Sequence, residues 1–122
     1  MRQPIGGLFE NAVLINLLSG MSAFKKISGW KKGNTGIEVD FVMDTMDVRK
    51  KVPIECKAST LISKKHYKNL IHYLTATSQK FGVLVSAAPF EIINSKEDIT
   101  IMNLPCYLAS RKNIENYLKL YS

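Results

Sequence analysis

Asp40, Glu55 and Lys57 are the residues of this chain whose types and spacing could do chemistry together. Glu55 and Lys57 form a Glu-x-Lys step, and fourteen residues separate Asp40 from Glu55. Residues two apart in a strand share a face, and neighbouring strands lie only about 4.8 Å apart, so a hairpin would gather all three into one patch. Two carboxylates at that spacing repel, and one of them tends to keep its proton. A divalent cation removes the conflict. Mg²⁺ takes hard oxygen ligands, typically one or two carboxylates, and keeps waters and substrate phosphate oxygens for its other positions. A lysine beside the cation can hold or deprotonate an attacking water, or neutralise charge building up on a phosphate. Taken alone, Glu55 and Lys57 read first as an ordinary ion pair on a solvated strand, the usual fate of such charges.

The elements that must position these groups show as periodicities. IEVDFVM (37–43) alternates, with Ile37, Val39, Phe41 and Met43 on one face and Glu38, Asp40 and Val42 on the other. VPIECKA (52–58) alternates in the same way, with Val52, Ile54, Cys56 and Ala58 opposite Pro53, Glu55 and Lys57. Both patterns predict strands, and the polar segment DTMDVRKK between them predicts a hairpin connection. Pro53 cannot donate to a ladder, so it belongs at the strand's first residues or on an unpaired side. FKKISGW (24–30) reads as a further strand before the turn KKGNTG. A helix is predicted over Leu8–Ser19, apolar nearly all round and therefore buried, and ended by Gly20. Glu10 lies on it, where an ionised side chain is costly unless paired, coordinated or near an edge. A second helix is predicted over Ser63–Gln79 with Tyr67, Leu70, Ile71 and Leu74 as its apolar stripe, then a doubly buried strand in FGVLVSAA (81–88). ITIM (99–102) is a weaker strand signal, and Arg111–Leu120 reads as a last helix. The sum is an α/β fold, a central mixed β-sheet flanked by helices, in one domain over 1–122.

Composition bounds what this domain can be. At 122 residues, 46% hydrophobic and 22% charged, it has the length and apolar content for one core, and disorder, collagen and coiled coil are excluded. Seventeen Lys and Arg against ten Asp and Glu give a net charge of +7, which favours polyanionic partners. Lys64, Lys65 and Lys68 fall in a stretch, 61–90, that contains no acidic residue; they read as a phosphate-tracking face or as a solvated helix surface. Cys56 and Cys106 form no CxxC pair, His66 and His72 are six apart with no third partner, and no serine sits in a nucleophile elbow. The apolar run at 8–18 is interrupted by Glu10, Asn11 and Asn16, so neither a signal peptide nor a membrane span is expected, and a cytoplasmic location is.

The D…E-x-K pattern on adjacent strands, with an acidic residue on a preceding helix, resembles the PD-(D/E)xK, or restriction-endonuclease-like, nuclease superfamily. GGLFENAV (6–13), Trp30, EVDFV (38–42) and PIECKAS (53–59), with NLP (103–105) as a weaker echo, resemble one prokaryotic branch more narrowly. That branch is the nuclease-like domain found C-terminal to an AAA-type ATPase module. The resemblance implies a restriction-endonuclease-like core, Asp40 and Glu55 as ligands of Mg²⁺ or Mn²⁺, and the Cys56 carbonyl as a third ligand. It further implies Lys57 as base or charge stabiliser and Glu10 as an auxiliary ligand through water. Glu38, on the same face as Asp40, reads first as a surface residue at an edge and second as a substitute ligand. Proline sits two residues before the glutamate here, and no GxxxxGK[ST] loop is present, so nothing of the ATPase itself carries over. Two functions follow: a metal-dependent DNA endonuclease-like domain, or a catalytically silent nucleic-acid-binding or protein-interaction module associated with an ATPase. A Holliday-junction-resolvase-like homodimer is a variant of the first.

Overall fold

The computed structural model describes residues 5–18, 27–94 and 98–121. In chain order these form helix α1 (Ile5–Leu18), strands β1 (Ile27–Lys31), β2 (Glu38–Asp44) and β3 (Lys51–Lys57), and helix α2 (Lys68–Thr77). Strands β4 (Phe81–Ser86), β5 (Glu91–Asn94) and β6 (Thr100–Pro105) and helix α3 (Arg111–Tyr121) follow, with 3₁₀ turns at Lys64–His66 and Cys106–Leu108. The strands make one mixed sheet in the order β1-β2-β3-β4-β6-β5. Pairs β1–β2, β2–β3 and β5–β6 are antiparallel, and β3–β4 and β4–β6 are parallel.

Local chemistry explains the connections. The β1–β2 turn closes through the Lys32 N–H donating to the Ile37 carbonyl at 2.9 Å, and Gly33 and Gly36 supply its left-handed φ values of 52° and 78°. A parallel pair needs a crossover, and α2 supplies it between β3 and β4. Pro53 precedes the first β3–β4 pair, Ile54 with Val83, so its missing N–H leaves no gap in that ladder.

Both faces of the sheet are apolar and covered. Val13 and Leu17 of α1 and Ile114 and Leu118 of α3 pack over Met43, Ile54, Val83, Val85, Met102 and Leu104. Leu70, Tyr73 and Leu74 of α2 pack over Val39, Val42, Leu84 and Ile101 on the other face. Strands β4 and β6 are thus buried on both sides, which is why their sequences run apolar without alternation. The β2–β3 hairpin end is tied down by the Met46 N–H donating to Glu115 Oε1 at 2.8 Å and by Gln79 Nε2 donating to the Arg49 carbonyl at 3.0 Å. No described helix is long and apolar enough to cross a membrane.

Several boundaries differ from the sequence reading. Helix α1 starts at Ile5 and runs through Gly6-Gly7, and its predicted end at Ser19 and Gly20 lies outside the described residues, as do 24–26 of the first predicted strand. Nor is α1 buried all round. Leu8 is 54% and Ile15 70% exposed, because the sheet receives only the Val13–Leu17 side. The helix predicted over Ser63–Gln79 is broken. His66 N–H donates to the Ser63 carbonyl and Ser63 N–H to His66 Nδ1, closing a 3₁₀ turn, and Tyr67 at φ −123° and ψ 10° starts α2 afresh. Strand β5 carries no period-two signal in EIIN and is an addition of the structure. β6 extends the ITIM strand through Pro105.

Helix α2 sits close to β4. A Cβ on Gly82 would meet Leu74 Cδ1 at 3.2 Å, Ile101 Cδ1 at 3.3 Å and Pro53 Cγ at 3.4 Å. Gly82→Val should therefore lower the unfolding free energy by roughly 1–3 kcal/mol in urea titration. A variant as stable as wild type would show that α2 has room to move off the sheet.

Candidate active site

The alternation of β2 does not survive folding. Ser28 stands opposite Val42, yet Trp30 stands opposite Val39, so Asp40 and Phe41 together face the single residue Gly29. This is a β-bulge. Val39 and Val42 consequently both join the core under α2, while Phe41 and Met43 turn toward α1 and α3. Parity alone groups Val39 with Phe41 and Met43. β3 departs in a second way, since Pro53 and Glu55 are buried and its polar face is not a solvated one.

The β2–β3 ladder runs from Asp44–Lys51 to Phe41–Ile54 and stops there. Beyond it, carboxylates replace backbone carbonyls as acceptors. Asp40 Oδ2 accepts the Cys56 N–H at 2.8 Å, and Glu55 Oε1 accepts the Asp40 N–H at 3.1 Å. A residue's N–H and C=O leave a strand by the same edge, so the Cys56 carbonyl also faces this gap. The gap lies at the carboxyl end of β3, where Lys57 is the last residue.

Electrostatics mark the same convergence. Burial first, then a hydrogen bond with the Asp40 side chain and the Asp40 charge, push the Glu55 carboxyl up to about 8, with Lys57 pulling the other way. Glu55 is only 4% exposed. Glu10, reaching in from α1, is raised by burial first, then by the Asp40 charge and a hydrogen bond to Asp40, again against Lys57. Glu10, Asp40, Glu55 and Lys57 are therefore neighbours, gathered from three elements. Glu38 is exposed and pairs with Lys31 at 3.9 Å. The Cys56 side chain lies in the core under α1 and α3, and burial pushes its thiol up, which makes it an unreactive group.

Among the described residues, no group of three or more His, Cys, Asp or Glu side chains is arranged to hold a metal by itself. The donors present do suit a cation that keeps most of its water. Asp40 and Glu55 offer two hard carboxylates, the Cys56 carbonyl a third oxygen and Glu10 an outer one, and Mg²⁺ asks for no more. A cation there would also offset the burial and the Asp40 charge that raise Glu55.

Lys64, Lys65 and Lys68 are all exposed, the first two on the 3₁₀ turn and the third at the start of α2. His66, between them, is lowered by burial and then by the charges of Lys65 and Lys57, which brings this turn near the site. Sequence reading misses Ser86 and Asn103. Both are fully buried, and Ser86 is the β4 partner of Lys57. Ser86 Oγ donates to Asn103 Oδ1 at 2.7 Å and accepts the Ala88 N–H at 3.0 Å, while Asn103 Nδ2 donates to the Ala88 and Pro89 carbonyls. The loop so held returns the Ala87 N–H to the Ser59 carbonyl, just after Lys57. The asparagine inside the otherwise apolar stretch ITIMNLP is the available signal.

A family model described as a domain of unknown function (DUF4143) matches residues 5–107, which takes in α1 and every strand of the sheet. The chain belongs to this family. No curated protein and no solved structure matches it. All four clustered residues of the DUF4143 domain lie within the matched span, whereas α3 lies beyond it.

The raised Glu55 sets a pH dependence. Below about 4.5 the carboxyl is protonated folded and unfolded alike; above it the unfolded chain ionises first, so stability falls as pH rises until the folded group ionises near 8. Glu10 acts in the same sense. The melting temperature of the metal-free domain should fall across that window, and Glu55→Gln should remove most of the fall. A wild-type melting temperature that rises over the window would mean Glu55 is ionised in the fold.

Proposed function

We propose that this DUF4143 domain is a metal-dependent phosphodiesterase of the PD-(D/E)xK nuclease type, acting on DNA. The observation that carries the proposal is the exchange across the end of the β2–β3 ladder. Asp40 accepts from the backbone of Cys56, and Glu55 accepts from the backbone of Asp40. Two carboxylates are thereby held against each other where a small cation or a shared proton must reconcile them.

Each residue then has a task its position supports. Asp40 and Glu55 hold a divalent cation, with the Cys56 carbonyl beside them and Glu10 behind. Bound Mg²⁺ or Mn²⁺ supplies charge neutralisation and a more acidic water. Lys57, at the end of β3, orients that water or meets the charge developing on the phosphate. Lys64, Lys65 and Lys68 lie where an incoming backbone could be neutralised, and the net charge of +7 favours such a partner.

A second reading has its own observation. Leu8 and Ile15, exposed on α1, are large apolar groups of the kind a protein partner covers. They favour a silent interaction module working beside an ATPase, which the DUF4143 membership is compatible with.

Nicking of supercoiled plasmid in Mg²⁺ or Mn²⁺ separates the two. Lys57→Ala should lower the rate by about 10²-fold or more while leaving metal binding intact, and Asp40→Asn should remove metal affinity and nicking together. Wild type and Lys57→Ala nicking at the same rate would reject the nuclease reading. Replacing Lys64, Lys65 and Lys68 with Gln should lower DNA affinity and reduce the log–log salt slope by about 0.9 for each phosphate no longer neutralised. An unchanged slope would make these lysines solubilising residues only.

A further inference from the structure

At the end of the sheet opposite the carboxylates, where β3 and β4 begin and α2 ends, lies a cleft of about 480 Å³. Arg49, Lys50, Lys51 and Lys80 line it, against Asp47. We propose that it is a second phosphate-binding site, and that bound DNA runs along α2 from Lys64, Lys65 and Lys68 at one end to this cleft at the other. This rests on the DNA-binding part of the function proposed above and adds the path of the bound chain to it.

Folding assembles the cluster. Arg49, Lys50 and Lys51 come from the β2–β3 hairpin, and Lys80 from the segment between α2 and β4. Gln79 Nε2 donates to the Arg49 carbonyl at 3.0 Å and fastens the two segments together. Asp47 pairs with Arg49 at 3.2 Å, and Asp44 pairs with Lys51 at 2.6 Å. Four cations against these two carboxylates leave the cleft net positive, and all four cationic residues are exposed. Like charges gathered in one place oppose the compact state, and an anion brought to them relieves the repulsion.

Distance and path suit a nucleic acid. Lys51 opens β3 and Lys57 ends it, so the cleft and Lys57 are about 20 Å apart at roughly 3.3 Å per residue. That is about six base-pair steps of a duplex. Helix α2 spans the interval, with Lys68 as its first residue and Thr77 and Ser78 in the cleft at its end. Lys68, His72 and Thr75, at i, i+4 and i+7, are exposed on one face of it. No acidic residue occurs in 61–90, so no carboxylate of this segment interrupts the path. The other use for cations at this place is to offset the negative end of the α2 dipole, and that use predicts no response to DNA.

Titration of the metal-free protein with a duplex of about 12 base pairs, long enough to cover both ends, tests the path. Backbone amide NMR signals of Arg49, Lys50, Lys51, Ser78 and Lys80 should shift saturably, with the same dissociation constant as those of Lys64, Lys65 and Lys68. Lys50→Gln combined with Lys80→Gln should reduce the log–log salt slope by about 0.9 for each phosphate it releases, whereas Lys50→Arg combined with Lys80→Arg should keep the wild-type slope. The amide shifts are read on the wild-type chain, so they decide the matter independently of how stable the Gln variant is. Shifts confined to Lys64, Lys65 and Lys68, or a folded Gln variant with the wild-type slope, would overturn the proposal and leave these cations to the helix dipole. No shift at either end would overturn the DNA-binding reading with it. No metal is present, so the outcome is separate from whether Lys57→Ala abolishes nicking.

Discussion

Two carboxylates, Asp40 and Glu55, are forced together at the point where the β2–β3 ladder ends, and most of the remaining architecture makes that pairing tolerable. Like charges so close are costly in a low-dielectric site unless a proton, a cation or fixed donors intervene. Backbone N–H groups are the donors provided, from Cys56 and from Asp40 itself. They become available because the bulge opposite Gly29 takes Asp40 out of the regular pairing of β1 with β2. A flat, fully paired hairpin would have committed the Cys56 donor to a backbone carbonyl and left the Asp40 carboxylate in solvent.

The sheet around this point is organised to keep it rigid. β3 is antiparallel to β2 and parallel to β4, so the site sits at the change of direction within the sheet and at the carboxyl ends of its parallel strands. Open α/β sheets commonly place ligands at such a position, because neighbouring connections diverge there and leave a crevice. Helix α1 closes one side and brings Glu10. The Lys64–His66 turn and α2 close the other. Behind Lys57, Ser86 and Asn103 satisfy each other and the carbonyls of Ala88 and Pro89, so the loop after β4 cannot relax without breaking several hydrogen bonds at once. The opposite end of the hairpin is moored to α3 through Met46 and Glu115, which leaves the site end as the part of the hairpin whose edge is shaped by side chains.

Exposed chemistry is distributed unevenly over this frame. Glu10, Glu38 and Asp40 face a cleft on the β1–β2 side, whereas lysines follow β3 in the chain. The exposed Leu8 and Ile15 lie on α1, whose buried side is Val13 and Leu17. The nearly uniform apolarity of that helix therefore reflects a covered side and an uncovered one, not a helix enclosed in a core.

Residue types and elements are legible in the chain before any folding: an alternating pair of strands bearing Asp40, Glu55 and Lys57, a helix bearing Glu10, a doubly buried β4 and the stripe of α2. They are legible because hydrophobic period and turn composition are local properties, set by which residues can share a face. How the groups meet is a matter of packing. The bulge at Gly29 reverses the face of Val39, and no residue of EVDFV announces it, since a bulge is fixed by pairing with another strand. The break between the 3₁₀ turn and α2 depends on a His66 ring returning to the Ser63 N–H. Strand β5 exists because β6 offers it an edge, and Asn103 is useful only because β4 lies beside it. The burial of Glu55, which gives the site its character, likewise needs β2 and β4 on either side of β3 and a helix over each face. Period-two patterning can say that a carboxylate points away from one core; only packing says that a second core waits on the other side.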